Sequence, residues 1–93
     1  EKMIESRLVQ EVQSRGGLWW KFTSPGTDGE PDRIVLMPGG KIAFVEVKAP
    51  GEKMRALQIR RKQQLERVGF SVYCLDRLDL IRPILDEVGG ETP

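Results

Sequence analysis

Pro31-Asp32-Arg33-Ile34-Val35-Leu36-Met37-Pro38-Gly39-Gly40-Lys41-Ile42-Ala43-Phe44-Val45-Glu46-Val47-Lys48 reads as two strands, 33–37 and 42–48, around a tight proline-glycine turn. In a strand, residues i and i+2 point to the same face, so Glu46 and Lys48 project together while Val47 turns away. Whether Asp32 joins them depends on the turn. A two-residue Gly39-Gly40 loop would set Asp32 opposite Val47, on the wrong face. A three-residue Pro38-Gly39-Gly40 loop sets it opposite Glu46, and all three side chains converge. Proline suits the first position of a type I turn and glycine the left-handed third position of such a loop. The three-residue loop is therefore predicted.

Outward from this hairpin, residues 2–15 read as a helix stopped by Gly16-Gly17, and 18–23 as a strand carrying Trp19, Trp20 and Phe22. Residues 24–31 carry every loop signal. After Ala49-Pro50-Gly51 a second helix is expected over 54–68, ended by Gly69. A fourth strand over 70–75 and a short final helix over 79–88, with Pro83 near its start, complete an αβββαβα order. Residues 89–93 read as a frayed tail. Both parities of Ile42-Ala43-Phe44-Val45 are apolar, which points to a sheet covered on both faces. The expectation is an α/β fold: a four-stranded mixed sheet flanked by helices, in one domain spanning 1–93.

The 93 residues include no histidine and one cysteine, Cys74. Ser-His triads, Cys-His pairs, HExxH zinc sites and the usual structural zinc sites are thereby excluded. Catalysis, if present, must rest on carboxylates, lysine, arginine, hydroxyls or a metal. A lone cysteine forms no internal disulfide, and Cys74 sits in an apolar strand as a core thiol. No apolar run is long enough to span a bilayer, and no basic-then-apolar signal opens the sequence. The net charge is only +1. Lys48, Lys53, Arg55, Arg60, Arg61, Lys62 and Arg67 nevertheless gather against Glu52 and Glu66 alone. Such a zone reads either as a solvated helix face or as a footprint for a phosphate backbone.

Two carboxylates with a neighbouring ammonium suit Mg²⁺ or Mn²⁺ and hydrolysis of a phosphodiester. The helices add polar groups at unexpected places. At ~100° per residue, Ile4, Leu8, Val12 and Val9 form one apolar arc, with Glu5 inside it. An acid there needs a metal or the Lys48 ammonium as partner, or it escapes to solvent near the helix start. In the second helix, Gln58 edges an apolar face of Met54, Leu57, Leu65 and Val68, and Arg61 projects from its middle. Gln58 could reach a metal-bound water or a nucleic-acid backbone. Arg61 either snorkels or meets an anion. One of Trp19 and Trp20 faces inward; the outward one could cover a helix, a second copy or an unstacked base. Lys21 could contact phosphate or simply be solvated.

Taken in order, Glu5, Gly29-Glu30-Pro31-Asp32, Glu46-Val47-Lys48 and Gln58 resemble the PD-(D/E)xK nuclease superfamily. More closely they resemble its VRR-NUC family, the virus-type replication-repair nuclease domain, in a short standalone form. The resemblance runs from Glu5 to about Asp76 and implies a restriction-endonuclease-like αβββαβ core. It implies a divalent metal on Asp32, Glu46 and the Val47 carbonyl, with Lys48 orienting the attacking water. Glu5 would complete the acidic cluster and Gln58 would be an auxiliary catalytic group. Lys21, Lys53, Arg55 and Arg61 would contact DNA. Standalone relatives imply a homodimer on branched DNA such as four-way junctions, in the cytoplasm of a bacterial or phage-infected cell, without a small-molecule cofactor. Two other readings compete. One is a non-catalytic nucleic-acid-binding module of the same fold, the other a structural carboxylate-lysine network.

Overall fold

In the computed structural model, residues 2–22, 29 and 31–89 are described. The expected continuation of the first strand to Thr23, the loop from Ser24, Glu30 of the Gly29–Asp32 motif and the tail from Gly90 lie outside them. The elements follow the expected order: α1 (Lys2–Ser14), β1 (Leu18–Lys21), β2 (Arg33–Met37), β3 (Lys41–Val47), α2 (Ala56–Arg67), β4 (Ser71–Leu75) and α3 (Ile81–Gly89). A short 3₁₀ turn over Leu78–Leu80 leads into α3. α2 begins two residues later than expected because Arg55 stands in extended backbone before it.

The four strands lie in the order β1-β2-β3-β4. β1–β2 and β2–β3 are antiparallel and β3–β4 is parallel, with α2 as the crossover. Met37 pairs with Lys41, so Pro38, Gly39 and Gly40 form the three-residue loop. The turn type differs from the expected one. Gly39 as well as Gly40 has positive φ, +87° and +76°. A positive φ directly after the proline is that of a type II turn, which requires glycine there, not of a type I turn.

The register assigns each side chain to a face. Val35, Met37, Ala43, Val45, Val47 and Leu75 share one face and are buried against Ile4, Leu8 and Val12 of α1 and Ile84, Leu85 and Val88 of α3. Each such aliphatic burial stabilises the fold by about 1.5–3 kcal/mol, which is why α1 docks by this stripe. Trp19 packs against this core, whereas Trp20 is 58% exposed.

The other face is only half covered. α2 lies over the end that carries Glu46, and Gln58 is its one buried residue among those described. Its expected apolar face is looser than the periodicity suggested, with Val68 70% exposed. Toward the hairpin, the cross-strand row Leu18–Leu36–Ile42 stays open, with Leu18 and Ile42 exposed. The apolar residues of both parities in β3 therefore mark two apolar faces but a single complete helical cover.

Candidate metal centre

The hairpin register decides the site. Arg33 pairs with Val45, so one step further Asp32 stands opposite Glu46 across the antiparallel pair. Asp32 Oδ1 accepts a hydrogen bond from the Val47 backbone N–H at 3.2 Å, which ties the carboxylate to β3. Its carbonyl accepts the Phe22 N–H at 3.1 Å, which ties the same residue to β1. Lys48 projects beside Glu46, its Nζ 3.6 Å from Glu46 Oε2, and both residues are buried. The Lys48 N–H donates to the Leu75 carbonyl at 2.9 Å and so fixes the strand end that carries the ammonium.

Gln58 enters from α2. Its Oε1 accepts the Arg55 N–H at 2.8 Å, one of the free donors at a helix start. That bond settles the amide orientation. With the oxygen held by an N–H, the Nε2 end must face Glu46, and it donates to Oε2 at 2.9 Å. Gly29, near Asp32 in sequence, packs on the adjacent residue of the same helix. A Cβ there would lie 2.6 Å from Leu57 Cγ and 2.9 Å from the Leu57 carbonyl oxygen, and its φ of +84° also favours glycine. The segments bearing Asp32 and Gln58 therefore close against each other at a point where no side chain fits.

Burial pushes the Glu46 carboxyl above its ordinary range, and the charge of Asp32 pushes it further. Lys48 and the Asp32 backbone N–H oppose the rise. Two carboxylates held together against their own repulsion, in an oxygen-only set, suit a hard divalent cation. No cluster of three or more acidic or cysteine ligands occurs among the described residues. That is compatible with Mg²⁺ or Mn²⁺, which is commonly bound by one or two carboxylates, with water and substrate phosphate completing the shell. Cys74 pairs with Glu46 in the β3–β4 register, and burial raises its pKa.

The remaining candidates are placed differently. Glu5 meets Arg33, whose Nη2 pairs with its Oε2 in an ion pair. Arg33 went unremarked in the sequence, although a basic residue directly after the motif acid was a visible signal. Lys21, Lys53 and Arg55 are exposed, and Arg61 donates to Gln64 Oε1 at 2.8 Å. Two clefts, of about 350 and 410 Å³, are lined by α1 and the β4–α3 connection, with Pro50 in the second, and contain none of the site residues. The centre lies where β2 begins and β3 ends, with the half-buried Asp32 beside the buried Glu46 and Lys48.

No protein-family model matches the chain. It is 51% identical over 80 residues, 86% of both chains, to "Putative nuclease p44" of Acyrthosiphon pisum secondary endosymbiont phage 1. A solved structure titled as a VRR_NUC domain superposes with a TM-score of 0.86 at 26% identity, covering 92% of this chain and 94% of the other. The chain belongs to the VRR-NUC family of PD-(D/E)xK nuclease domains.

Proposed function

We propose that this protein is a Mg²⁺- or Mn²⁺-dependent endonuclease that hydrolyses DNA phosphodiester bonds, selects branched DNA such as four-way junctions, and works as a homodimer. The observation that carries the reading is Asp32 opposite Glu46, with the Lys48 ammonium 3.6 Å from Glu46. Asp32, Glu46 and the Val47 carbonyl would hold the ion. When bound, it supplies Lewis acidity at the phosphate and a water of lowered pKa.

The chain's own groups do the rest. Lys48 orients the attacking water and offsets charge on the phosphate. Gln58 holds Glu46 in one rotamer, so that its Oε1 is presented in a fixed direction. The exposed Lys21, Lys53, Arg55 and the α2 residue Arg61 contact backbone phosphates beside the centre. Such contacts carry no base identity, so selection follows DNA shape.

The dimer reading is supported by the uncovered sheet face. Its row Leu18–Leu36–Ile42 and the neighbouring exposed Trp20 contain no charge. A flat apolar face of this kind is self-complementary under a two-fold axis.

The test incubates the protein and Glu46→Ala with labelled four-way junction, flap, duplex and single-stranded DNA, in Mn²⁺ or EDTA. Discrete Mn²⁺-dependent cuts in the junction, absent from the variant, are expected. Binding without cleavage under any divalent ion would transfer the assignment to a nucleic-acid-binding module. Neither binding nor cleavage would leave a structural network.

A further inference from the structure

We propose that Arg33 is a positioning residue for the metal centre, and that Glu5 acts on the centre through Arg33 instead of as a metal ligand. The proposal rests on the reading of Asp32 as a ligand and assigns what holds that ligand in place. Arg33 pairs with Val45, so its side chain lies on the α1 face of the sheet, opposite to Glu46 and Gln58. The residue is only 9% exposed.

From that side the guanidinium reaches the residue before it. Nη1 donates to the Asp32 carbonyl at 2.8 Å and lies 3.8 Å from Asp32 Oδ2. Nη2 pairs with Glu5 Oε2 on α1, and the guanidinium carbon stands 5.0 Å from the centre of the Trp19 ring. Its Nε is buried without an acceptor among the described residues. A buried donor left unpaired is unfavourable, so the orientation of the fork is set by Asp32, Glu5 and the Trp19 face together, at the sacrifice of Nε.

Asp32 needs such a hold. It precedes the first residue of β2, and among the described residues its backbone is met by the Phe22 N–H at its carbonyl and by Glu46 at its own N–H. Arg33 adds a second, charge-assisted donor to the same oxygen. The Asp32 backbone is thereby pinned, and its carboxylate keeps the direction that the Val47 N–H selects. Glu5 fixes Arg33 in turn and balances its charge. The α1 acid therefore serves the centre as the far end of a relay, Glu5 to Arg33 to Asp32, that crosses from one face of the sheet to the other.

The test is calorimetric titration of Mn²⁺ into the metal-stripped protein without DNA, for wild type, Asp32→Asn, Arg33→Met, Arg33→Lys, Glu5→Gln and the Glu5→Gln/Arg33→Met pair. Thermal unfolding in EDTA checks that each variant is folded. Arg33→Met should weaken Mn²⁺ binding about tenfold, as loss of an outer-shell partner does, and Arg33→Lys should recover part of it. Glu5→Gln should weaken binding about threefold in the wild-type background and not at all beside Arg33→Met, because coupled residues are non-additive. Equal losses from Glu5→Gln in both backgrounds would make Glu5 a direct ligand and overturn the relay. Unchanged affinity in a folded Arg33→Met would overturn it too. If Arg33→Met does not unfold cooperatively, Arg33→Lys decides, with unchanged affinity again contrary. Full Mn²⁺ binding by Asp32→Asn would overturn the metal-centre reading itself, an outcome distinct from the failure of Arg33 alone.

Discussion

Gln58 Nε2 donates to Glu46 Oε2 at 2.9 Å while Gln58 Oε1 accepts the Arg55 N–H at 2.8 Å, so one amide caps the start of α2 and orients the buried site acid. Removing that amide should cost stability and activity separately. Gln58→Ala is expected to lower stability by about 1–3 kcal/mol, since it takes one of two partners from a buried carboxylate oxygen and leaves a helix donor unpaired. Gln58→Glu keeps the acceptor for Arg55 but sets a second acid against Glu46, and should be the less active of the two relative to its stability. Denaturant unfolding and single-turnover cleavage, run side by side, check the split.

The raised Glu46 pKa has a definite pH signature. Its folded value exceeds the ordinary 4.5, through burial first and Asp32 second. The neutral acid is therefore favoured by folding: the stabilisation is full below about 4.5 and is lost as pH rises through the folded value. In EDTA, the wild type should lose stability relative to Glu46→Gln over that rise, and Mn²⁺ should restore it. The acid limb of Mn²⁺-dependent cleavage should likewise lie above the ordinary carboxylate range, because the ion needs the ionised form. Unfolding midpoints with and without Mn²⁺ across pH 4–8 measure both.

Tyr73, on the sheet face opposite to Glu46, offers an independent check. Its hydroxyl donates to Glu87 Oε1 at 2.8 Å, and burial first and Glu87 second push its pKa up to about 12. The contact contributes fully below the unfolded value of about 10 and is lost between about 10 and 12. A spectrophotometric titration should show phenolate appearing late in the folded protein. Glu87→Gln should bring the transition to lower pH, while leaving cleavage unchanged.

Gly29 tests the closure of the Asp32 segment on α2. Gly29→Ala adds a Cβ 2.6 Å from Leu57 Cγ in a left-handed backbone. A cost of about 1–3 kcal/mol is expected. A loss of Mn²⁺ affinity should accompany it, because the segment must shift away from α2. Gly39→Ala meets no neighbour within 4 Å, so its cost should be backbone strain alone, with Mn²⁺ affinity intact.

The open sheet face predicts the assembly. Trp20 is 58% exposed, so Trp20→Glu should leave the monomer's unfolding midpoint within about 0.5 kcal/mol. Light scattering should find the wild type as a dimer and the variant as a monomer. Junction cleavage should fall more than cleavage of any unbranched substrate.

Much of the site could be read from the chain because it depends on local geometry. The length of the Pro38-Gly39-Gly40 loop alone decides whether Asp32 meets Glu46, and strand parity then brings Lys48 to the same face. What escaped were relationships that require elements distant in sequence to be packed together. Periodicity located Glu5 inside the apolar arc of α1, but its partner is fixed by how α1 lies on β2, and that partner is Arg33. The type II form of the turn escaped because proline followed by two glycines is compatible with either turn until φ at Gly39 is known. The half-open sheet face escaped because apolar residues of both parities look alike whether a helix covers them or not. Exposure of Ile42 and Leu18 depends on where α2 ends relative to the strands.

The most direct test of the central claim is anomalous diffraction from crystals soaked in Mn²⁺. The account predicts one Mn²⁺ peak between the Asp32 and Glu46 carboxylates, within bonding distance of the Val47 carbonyl, with Glu5 still paired to Arg33. A peak ligated by Glu5, or no peak at this pair while Mn²⁺ supports cleavage in solution, would contradict it.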